Sequence, residues 1–372
     1  MSFPELLLIS TGIAYIFFLL AVVSGILRLR RQTSLATTDT TTFLSVIVPA
    51  RNEQSTIENC LQSIVRSSLP VECYEIIVVD DHSSDNTASI VKDFMEIYPQ
   101  TRLLHLGDDA TGKSEALNVG IASCRGDVVA TIDSDCIASI DWLHLTRDAV
   151  TGEYPIVAGP VFFESDGKIF SGMQALEFLG LVAVGAGCIG IGLPTICNSA
   201  NLAYRQSLPT ELAPAGFGTA PGADERMLQQ IRSTGLGSAS FNMAPSSFVT
   251  AQPAATVREF VDQRRRWAGS VGGFAHPFGL FVSITIFVFF VLLIALTLLV
   301  FFTSTGANTI IVAWTGKVIA ELAVLGVIAA HFDRLKLLRY FIPAQIVHIP
   351  YIVGVSIFSL VSGHSWKGRR HN

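Results

Sequence analysis

The chain has 372 residues, half of them hydrophobic, and this composition argues against an ordinary soluble protein with one small domain. A formal net charge of -5, without a sustained basic surface, argues against a nucleic-acid partner. The six cysteines form no Cys-x-x-Cys pair, so we expect reduced thiols in a cytoplasmic domain and no zinc site.

The first predicted element is a helix long enough to cross a bilayer. Leu6 to Val23 contains no charged residue, and arginines follow within residues 28–31. Because Arg and Lys favour the cytoplasmic side, we expect the amino terminus outside and the following domain in the cytoplasm, at the cell membrane. Residues 33–42 are interpreted as a polar linker.

Short strands and helices alternate from Phe43 onwards. Ser55-Thr56-Ile57-Glu58 has the pattern of a capping box that opens the first helix. The alternation predicts an α/β domain with a mostly parallel sheet, in which the polar loops after the strands gather along one edge. The predicted strands are Leu44 to Pro49, Glu75 to Val79, Thr101 to Leu106 and Asp127 to Ile132.

Asp133 and Asp135 stand at the end of the fourth predicted strand. Ligands bind at the carboxyl ends of strands in open α/β sheets, and two carboxylates one residue apart can share a hard divalent cation that neutralises a diphosphate. The pair is therefore predicted to bind Mg²⁺ or Mn²⁺. Taken alone, Asp-Ser-Asp is more typical of a solvated turn, and the blocks described below favour the metal site.

Further polar residues follow the other strands. Asp80 and Asp81 can accept hydrogen bonds from a ribose hydroxyl or a base N–H, or can cap the next helix. Lys113 follows a glycine and can reach a phosphate, or can be a solvated loop lysine. Residues 51–53 can hold the nucleotide base or form a turn with a helix start.

Four ordered blocks, at residues 45–53, 77–87, 112–118 and 133–135, resemble family 2 glycosyltransferases. The resemblance covers residues 43–275. It implies the GT-A fold (Rossmann-like), with inverting transfer of a sugar from a nucleotide sugar, for which we expect a UDP-sugar. The nucleotide-sugar-binding residues it implies are Pro49, Ala50, Arg51, Asn52, Glu53, Asp80, Asp81, Lys113, Asp133 and Ser134.

A fifth block contains Gln-x-x-Arg-Trp, which resembles the signature of membrane-bound polysaccharide synthases and ceramide glucosyltransferase. The resemblance implies catalytic roles for Gln263, Arg266 and Trp267, since arginine can clamp a diphosphate beside a flat indole surface. Arg264 and Arg265 are expected to lie at the membrane surface. The alternative is a basic interfacial helix.

Two adjacent acids supply the predicted general base. An inverting displacement needs a carboxylate that takes the proton of the attacking hydroxyl. Alignment of the family's acidic-acidic-x-x-Leu pattern on Leu228 gives this role to Glu225, where the family usually has aspartate. Asp224 stays open as the alternative, and two acids at a helix start also complement its dipole.

The segment between these blocks is apolar. Phe178 to Ile196 is uncharged and long enough to cross a bilayer, but a crossing would separate Glu225 and Trp267 from Asp133. We expect an apolar floor under the site instead. The following block, residues 199–205, resembles the family's Gly-x-Asn-x-x-Tyr-Arg pattern. Ser199 takes the place of its glycine.

The last third is predicted to lie in the membrane. Pro277 to Phe302 and Asn308 to Ala330 are two spans, and Lys317 can pair with Glu321 four residues later. Tyr340 to Val361 is interrupted by polar and proline residues, which favours a bent or re-entrant segment that returns the basic tail to the cytoplasm. The predicted divisions are residues 1–32 (transmembrane helix), 43–252 (catalytic domain), 253–276 (interfacial helix), 277–362 (transmembrane segments) and 363–372 (basic cytoplasmic tail).

The combined motifs predict an inverting glycosyltransferase that acts on a hydroxyl of a membrane lipid at the cytoplasmic face. The Gln-x-x-Arg-Trp motif keeps open a processive polysaccharide synthase, although the few apolar segments argue against a polymer channel. A non-catalytic membrane protein that binds nucleotides is the third hypothesis. Nothing in the sequence indicates the oligomeric state.

Overall fold

The chain forms two compact units. The unit that we call the sheet unit comprises Leu27–Phe163 and Pro194–Gln252, and the unit that we call the helical unit comprises Met1–Ile26, Glu164–Leu193 and Pro253–Asn372. The computed structural model describes residues 2–32, 42–212, 223–270, 277–303, 306–361, 364–366 and 369–371.

The elements are numbered in chain order. The helices are α1 (Phe3–Gln32), α2 (Ile57–Val65), α3 (Thr87–Ile97), α4 (Lys113–Ser123), α5 (Trp142–Ala149), α6 (Ile169–Gly190), α7 (Leu208–Leu212), α8 (Ala223–Thr234), α9 (Val257–Ser270), α10 (Pro277–Thr303), α11 (Ala307–His331) and α12 (Phe341–Val361). The strands are β1 (Leu44–Ala50), β2 (Tyr74–Asp80), β3 (Thr101–His105), β4 (Val128–Thr131), β5 (Ile137–Ala138), β6 (Ile156–Ala158), β7 (Val161–Phe163), β8 (Leu202–Arg205), β9 (Ala239–Phe241), β10 (Val249–Ala251), β11 (His364–Trp366) and β12 (Arg369–His371).

The sheet unit is organised around a sheet whose described strands run in the order β3-β2-β1-β4-β8-β6-β9. β1 pairs in parallel with β2 and β4, and β8 is antiparallel to its two neighbours. β2 is rich in valine and isoleucine and β4 in valine, and every residue of both strands is buried, as expected for strands covered on both faces. The mostly parallel α/β sheet predicted from the sequence is confirmed.

The four strands predicted from the sequence are found, each with ends within one residue of those expected. The capping box predicted at residues 55–58 is not formed. Thr56 is the N-cap of α2, but its hydroxyl donates to Glu53 Oε2 at 2.8 Å and does not cap the helix. The short polar side chain therefore shapes the loop after β1.

The helical unit contains most of the apolar helices. α1, α6, α10, α11 and the stretch Leu335–Ile357 are each long and apolar enough to cross a membrane. α6 differs from the others because 72% of its most apolar window is buried inside the protein, against 17 to 28% for the rest. A Cβ at Gly25 or Gly187 would overlap the backbone of the other helix, so α1 and α6 pack in direct contact.

Most of the uncharged segment Phe178 to Ile196 lies in α6, which begins nine residues before that segment, at Ile169. α6 packs against α11 and α12 within the helical unit. Its length and hydropathy also suit a membrane span, so the expectation of an apolar floor that does not cross stays a prediction.

Polar side chains join the helices of this unit. Lys317 is fully buried, and its Nζ lies 2.8 Å from Glu321 Oε2, which confirms the pairing expected from their spacing. Gln345 of α12 and Tyr15 of α1 bond to the same pair. α12 is one continuous helix that contains Pro350, and the bent or re-entrant course expected for this segment stays a prediction. Gln345 bonds to Lys317 and Glu321, so this polar side chain is accommodated inside the bundle without a break in α12.

Candidate active site

The loops after β1 and β2 are joined to each other. Ala50 is the register partner of Asp80, so both strands end at the same edge of the sheet. The Asn52 amide donates to Ser83 Oγ at 2.9 Å, and the Asp81 amide donates to the Ala50 carbonyl at 2.8 Å. The sheet edge predicted to collect the polar loops is formed in the structure.

The residues after β1 first shape this edge. Arg51 Nη1 donates to the Asp81 carbonyl at 2.7 Å. Asn52 has a φ of 53°, a left-handed conformation that asparagine tolerates, and its Oδ1 accepts from the Ser84 amide at 2.8 Å. The Glu53 amide donates to a threonine hydroxyl at 2.8 Å. The predicted base-binding loop is thus held in one conformation; its contacts with a base stay a prediction.

Asp80 and Asp81 have different surroundings. Asp81 Oδ2 accepts from the Gly112 amide at 3.0 Å, at a glycine whose φ of 97° other residues rarely adopt, so Asp81 positions the loop that begins α4. Asp80 Oδ2 accepts from the Ser83 amide and faces His105 Nδ1, both at 3.3 Å. Asp80 Oδ1 is buried without a hydrogen-bond partner among the described residues. Asp81 Oδ1 lies 3.4 Å from Arg51 Nη1, so of the two acids Asp80 keeps the acceptor that a ligand could use.

Lys113 is held between two strands of the sheet. Its Nζ lies 2.5 Å from Asp133 Oδ1, beyond β4, and donates to Ser199 Oγ at 2.7 Å, before β8. The Ser199 carbonyl in turn accepts from Thr131 Oγ1 at 2.5 Å. Ser199, which replaces the family's glycine, thus contributes a hydrogen bond that glycine cannot make.

The second acid of Asp-Ser-Asp lies in a negative environment. Loss of hydration, together with the charges of Asp133 and Glu53, raises the pKa of Asp135, and Lys113 opposes this effect. Carboxylates crowded in this way fit a divalent cation, which would relieve their repulsion. Ser134 between them is buried. Within the described residues no group of three or more acidic, His or Cys side chains could hold a metal.

The predicted base lies on α8 in the same unit. α8 is anchored by buried Met227, Leu228 and Ile231, and Gln229 Nε2 donates to the Thr195 carbonyl at 3.0 Å. Glu225 is half-buried in the first turn of α8. The side chain of Asp224 lies outside the described residues, so the choice between the two acids stays open.

The Gln-x-x-Arg-Trp motif lies on α9, in the helical unit. Arg264 corrects the sequence-based expectation. It is only 4% exposed and pairs with Glu177 of α6, so it does not lie at the membrane surface. Arg265 is 29% exposed and lies 3.8 Å from Asp262. The side chain of Arg266 lies outside the described residues, and the catalytic roles in this motif stay predictions.

Sequence reasoning missed Asn201, which organises the strand after Ser199. Asn201 Oδ1 accepts from Trp142 Nε1 at 2.9 Å, and its Nδ2 donates to the carbonyls of Pro160 and Ser247, both at 2.9 Å. A buried asparagine whose side chain makes three hydrogen bonds, two of them to backbone carbonyls, fixes the backbone around it. The signal in the sequence was the asparagine of the block that resembles Gly-x-Asn-x-x-Tyr-Arg.

A solved structure with a similar fold covers nearly the whole chain. It is the mannosyltransferase PcManGT from Pyrobaculum calidifontis in complex with GDP-Man and Mn²⁺, with a TM-score of 0.54 and 20% identity over 96% of each chain. At this identity the likeness shows the fold alone.

Curated relatives match shorter segments. Glycosyltransferase AglE of Haloferax volcanii is 34% identical over 127 residues, which are 34% of this chain and 41% of the relative. A beta-monoglucosyldiacylglycerol synthase of Synechocystis is 31% identical over 118 residues, which are 32% of this chain and 23% of the relative. The chain thus matches less than half the length of these relatives.

The fold and the acidic edge of the sheet define a transferase of the GT-A type. The sequence model described as "Glycosyl transferase family group 2" matches residues 128–351, more than half of the 372 residues. The model "Glycosyl transferase family 2" matches residues 45–208. The chain belongs to glycosyltransferase family 2.

Proposed function

We propose that the protein is a membrane-bound, metal-dependent, inverting glycosyltransferase that joins one sugar from a nucleotide sugar to a hydroxyl of a membrane lipid at the cytoplasmic face. The observation that carries the proposal is the contact of Lys113 with Asp133, next to Asp135, at the carboxyl edge of a parallel sheet. A fixed cation beside two carboxylates suits a diphosphate and its metal ion.

The donor is proposed to be a UDP-sugar whose base lies near the loops after β1 and β2. Asp80 Oδ1 is a buried acceptor without a partner among the described residues, and an N–H of a pyrimidine or purine base would satisfy it. Since the similar mannosyltransferase structure contains GDP-Man, GDP-sugars belong in the same comparison.

Asp133 and Asp135 would hold the divalent ion. Bound Mg²⁺ or Mn²⁺ neutralises the diphosphate as it leaves. Lys113 adds a positive charge on the same side. The lysine therefore orients the diphosphate and stabilises the charge that grows on it.

Transfer proceeds by a single displacement. The acceptor oxygen forms a bond to the anomeric carbon from the face opposite the diphosphate, while the bond from that carbon to the phosphate oxygen breaks. Glu225, or Asp224 beside it, takes the proton of the attacking hydroxyl. The products are an inverted glycoside and a nucleoside diphosphate.

The Gln-x-x-Arg-Trp motif is proposed to have a catalytic role in transfer. Arg266 supplies a guanidinium fork suited to phosphate oxygens, and Trp267 supplies a flat surface for a sugar ring or the acceptor. Gln263 adds an amide that can bond to a hydroxyl.

The lipid acceptor is supported by two features. Among the described residues, five helices are long and apolar enough to cross a membrane, and the chain is similar to a protein named as a beta-monoglucosyldiacylglycerol synthase. The arginines at the end of α1 favour the cytoplasmic side for the residues that follow.

The full-length protein, purified in detergent, would be incubated with radiolabelled UDP-sugars and GDP-sugars, Mg²⁺ or Mn²⁺, and a membrane lipid extract. Products would be separated by thin-layer chromatography. A single mobile labelled lipid supports the proposal. Immobile polymer would replace it with a processive polysaccharide synthase, and nucleotide binding without turnover would replace it with a nucleotide-binding protein that is not an enzyme.

A further inference from the structure

Arg264 makes a buried ion pair inside the helical unit. It occupies the first variable position of Gln-x-x-Arg-Trp, and its side chain is 4% exposed. Its Nε and Nη2 donate to the two carboxylate oxygens of Glu177 at 3.2 and 2.8 Å. This two-point contact fixes the plane of the guanidinium as well as its position.

The fixed guanidinium contacts two residues of the motif. Its Cζ lies 4.2 Å from the centre of the Trp267 ring and 4.6 Å from that of Phe260, so the group is held between two aromatic faces. Its Nη1 donates to Gln263 Oε1 at 2.6 Å. One side chain thus sets the orientation of both the indole and the amide proposed to serve in transfer.

The carboxylate that holds Arg264 is itself held from other helices. The Tyr351 hydroxyl of α12 donates to Glu177 Oε1. Gln174, one turn before Glu177 on α6, exchanges two hydrogen bonds with Ala254, just before α9, at 2.9 and 3.0 Å. α6 therefore fixes α9 at its start and again at the motif.

A purely structural role is the alternative. A buried ion pair adds little stability compared with apolar side chains of the same volume, although removal of one partner is strongly destabilising. Stability alone therefore does not explain a planar, two-point contact aimed at Gln263 and Trp267. Arg265, the next residue on the helix, is 29% exposed, and its Nη1 lies 3.8 Å from Asp262 Oδ1.

We propose that Arg264 is a positioning residue of the transferase: held by Glu177 and Tyr351, it orients Trp267 and Gln263 for sugar transfer without itself touching the substrate. The inference rests on the proposed function for the roles of those two side chains. It extends that function by giving a role to Arg264, which occupies a position that the motif leaves variable.

A double-mutant cycle of Glu177→Gln and Arg264→Met separates orientation from stability. Each single variant leaves one buried charge unpaired and lowers the thermal midpoint, whereas the double variant removes both charges and recovers it. We expect the double variant to keep a kcat at least about tenfold below that of the wild type, with the donor KM within about twofold. Recovery of kcat together with the midpoint would show that the pair is structural only, and would overturn the proposal.

Arg264→Lys keeps the charge but loses the fork and the plane, so it tests the same point should the double variant fail to fold. A fall in kcat of about tenfold at a preserved thermal midpoint supports positioning, and an unchanged kcat contradicts it. Arg265→Met is the matched control, expected to keep kcat within about twofold.

Fluorescence reads the contact without any substrate. The Trp267 emission is the difference between each protein and its Trp267→Phe counterpart, and we expect Arg264→Met to shift it. An unchanged Trp267 spectrum would overturn the proposal. If the wild type transfers no sugar, the proposed function fails on its own, and the fluorescence still decides whether Arg264 orients the indole.

Discussion

Lys113 Nζ lies 2.5 Å from Asp133 Oδ1, so the protein places its own cation on one of the two carboxylates assigned to the metal. A divalent ion that binds Asp133 must share it with the ammonium group or displace that group. Ser199 Oγ, 2.7 Å from the same nitrogen, gives the lysine a second acceptor on the neighbouring strand. Metal binding at Asp133, as proposed, would therefore be coupled to the position of Lys113.

Lys113→Met tests this coupling. Loss of the positive charge should make Mn²⁺ bind about tenfold more tightly in the absence of nucleotide, because the carboxylates lose their internal cation. The same variant should bind the nucleotide sugar at least about tenfold more weakly, since the diphosphate loses a fixed charge. Electron paramagnetic resonance of free Mn²⁺ and calorimetry measure the two effects. Lys92→Met, at an exposed position of α3, is the control; weaker Mn²⁺ binding in Lys113→Met would argue against the coupling.

Asp135→Asn should abolish the metal dependence of donor binding. The amide keeps the shape of the side chain but removes the charge that the cation would neutralise. We expect nucleotide-sugar affinity in the presence of Mn²⁺ to fall at least about tenfold, to the level measured with chelator. Titration calorimetry with and without chelator checks this, and a variant that still responds to Mn²⁺ like the wild type would remove Asp135 as a ligand.

Ser199→Ala should raise the donor KM by about fivefold, because Lys113 loses a hydrogen bond that fixes its ammonium group. Ser199→Gly, which restores the family's residue, should behave similarly. Ser207→Ala on the other side of β8 serves as the matched control, with an expected donor KM equal to that of the wild type. Should both Ser199 variants retain the wild-type KM, the serine hydroxyl has no part in donor binding.

Glu225→Gln should reduce transfer by at least about a thousandfold while nucleotide binding stays intact, since the amide cannot take the proton of the acceptor hydroxyl. Single-turnover assays alongside nucleotide titrations separate the two effects. Asp224→Asn is the matched comparison. Near-normal transfer by Glu225→Gln, with loss in Asp224→Asn, would move the base to Asp224.

The strands and the acidic edge of the sheet were predictable from the sequence for a local reason. Continuous apolar runs such as Ile76 to Val79 can be satisfied only by burial on both faces, and parallel topology then brings the following loops together. The positions of Asp80 and Asp133 at one edge of the sheet therefore follow from the order of the strands along the chain. The partners of these side chains do not follow from it, because they come from other segments: Asp80 faces His105, and Asp133 pairs with Lys113.

Arg264 shows why the remainder was not predictable. Successive positions of a helix face different sides, so helical periodicity alone does not say which of several adjacent arginines meets a partner. The choice depends on Glu177, 87 residues earlier in the chain, which local pattern cannot connect to it. The same holds for Ser199, whose departure from the family's glycine is explained only once Lys113 is seen to bond to it.

Glu75 should control stability without a role in transfer. It lies at the opposite end of β2 from Asp80 and is fully buried, where Oε1 accepts from Ser45 Oγ at 2.8 Å and from the Arg125 amide at 2.7 Å. Oε2 lies 3.1 Å from Arg102 Nη1. Glu75→Gln should lower the free energy of unfolding by about 2 to 3 kcal/mol, with kcat unchanged per folded molecule.

The stabilisation by Glu75 should decrease as the pH falls. Burial alone would raise the pKa of Glu75, but hydrogen bonds from Arg125, Ser45 and Arg102 outweigh it and hold the pKa below the ordinary value. The stabilisation is therefore fully present above the unfolded pKa of about 4.3 and is lost as the pH falls through the lower folded value. Thermal midpoints measured in detergent should differ most between wild type and Glu75→Gln at about pH 7 and converge in acid. Glu72→Gln, at an exposed position, should show no difference at either pH; a gap for Glu75→Gln that stays constant into acid would mean that its charge does not carry the stabilisation.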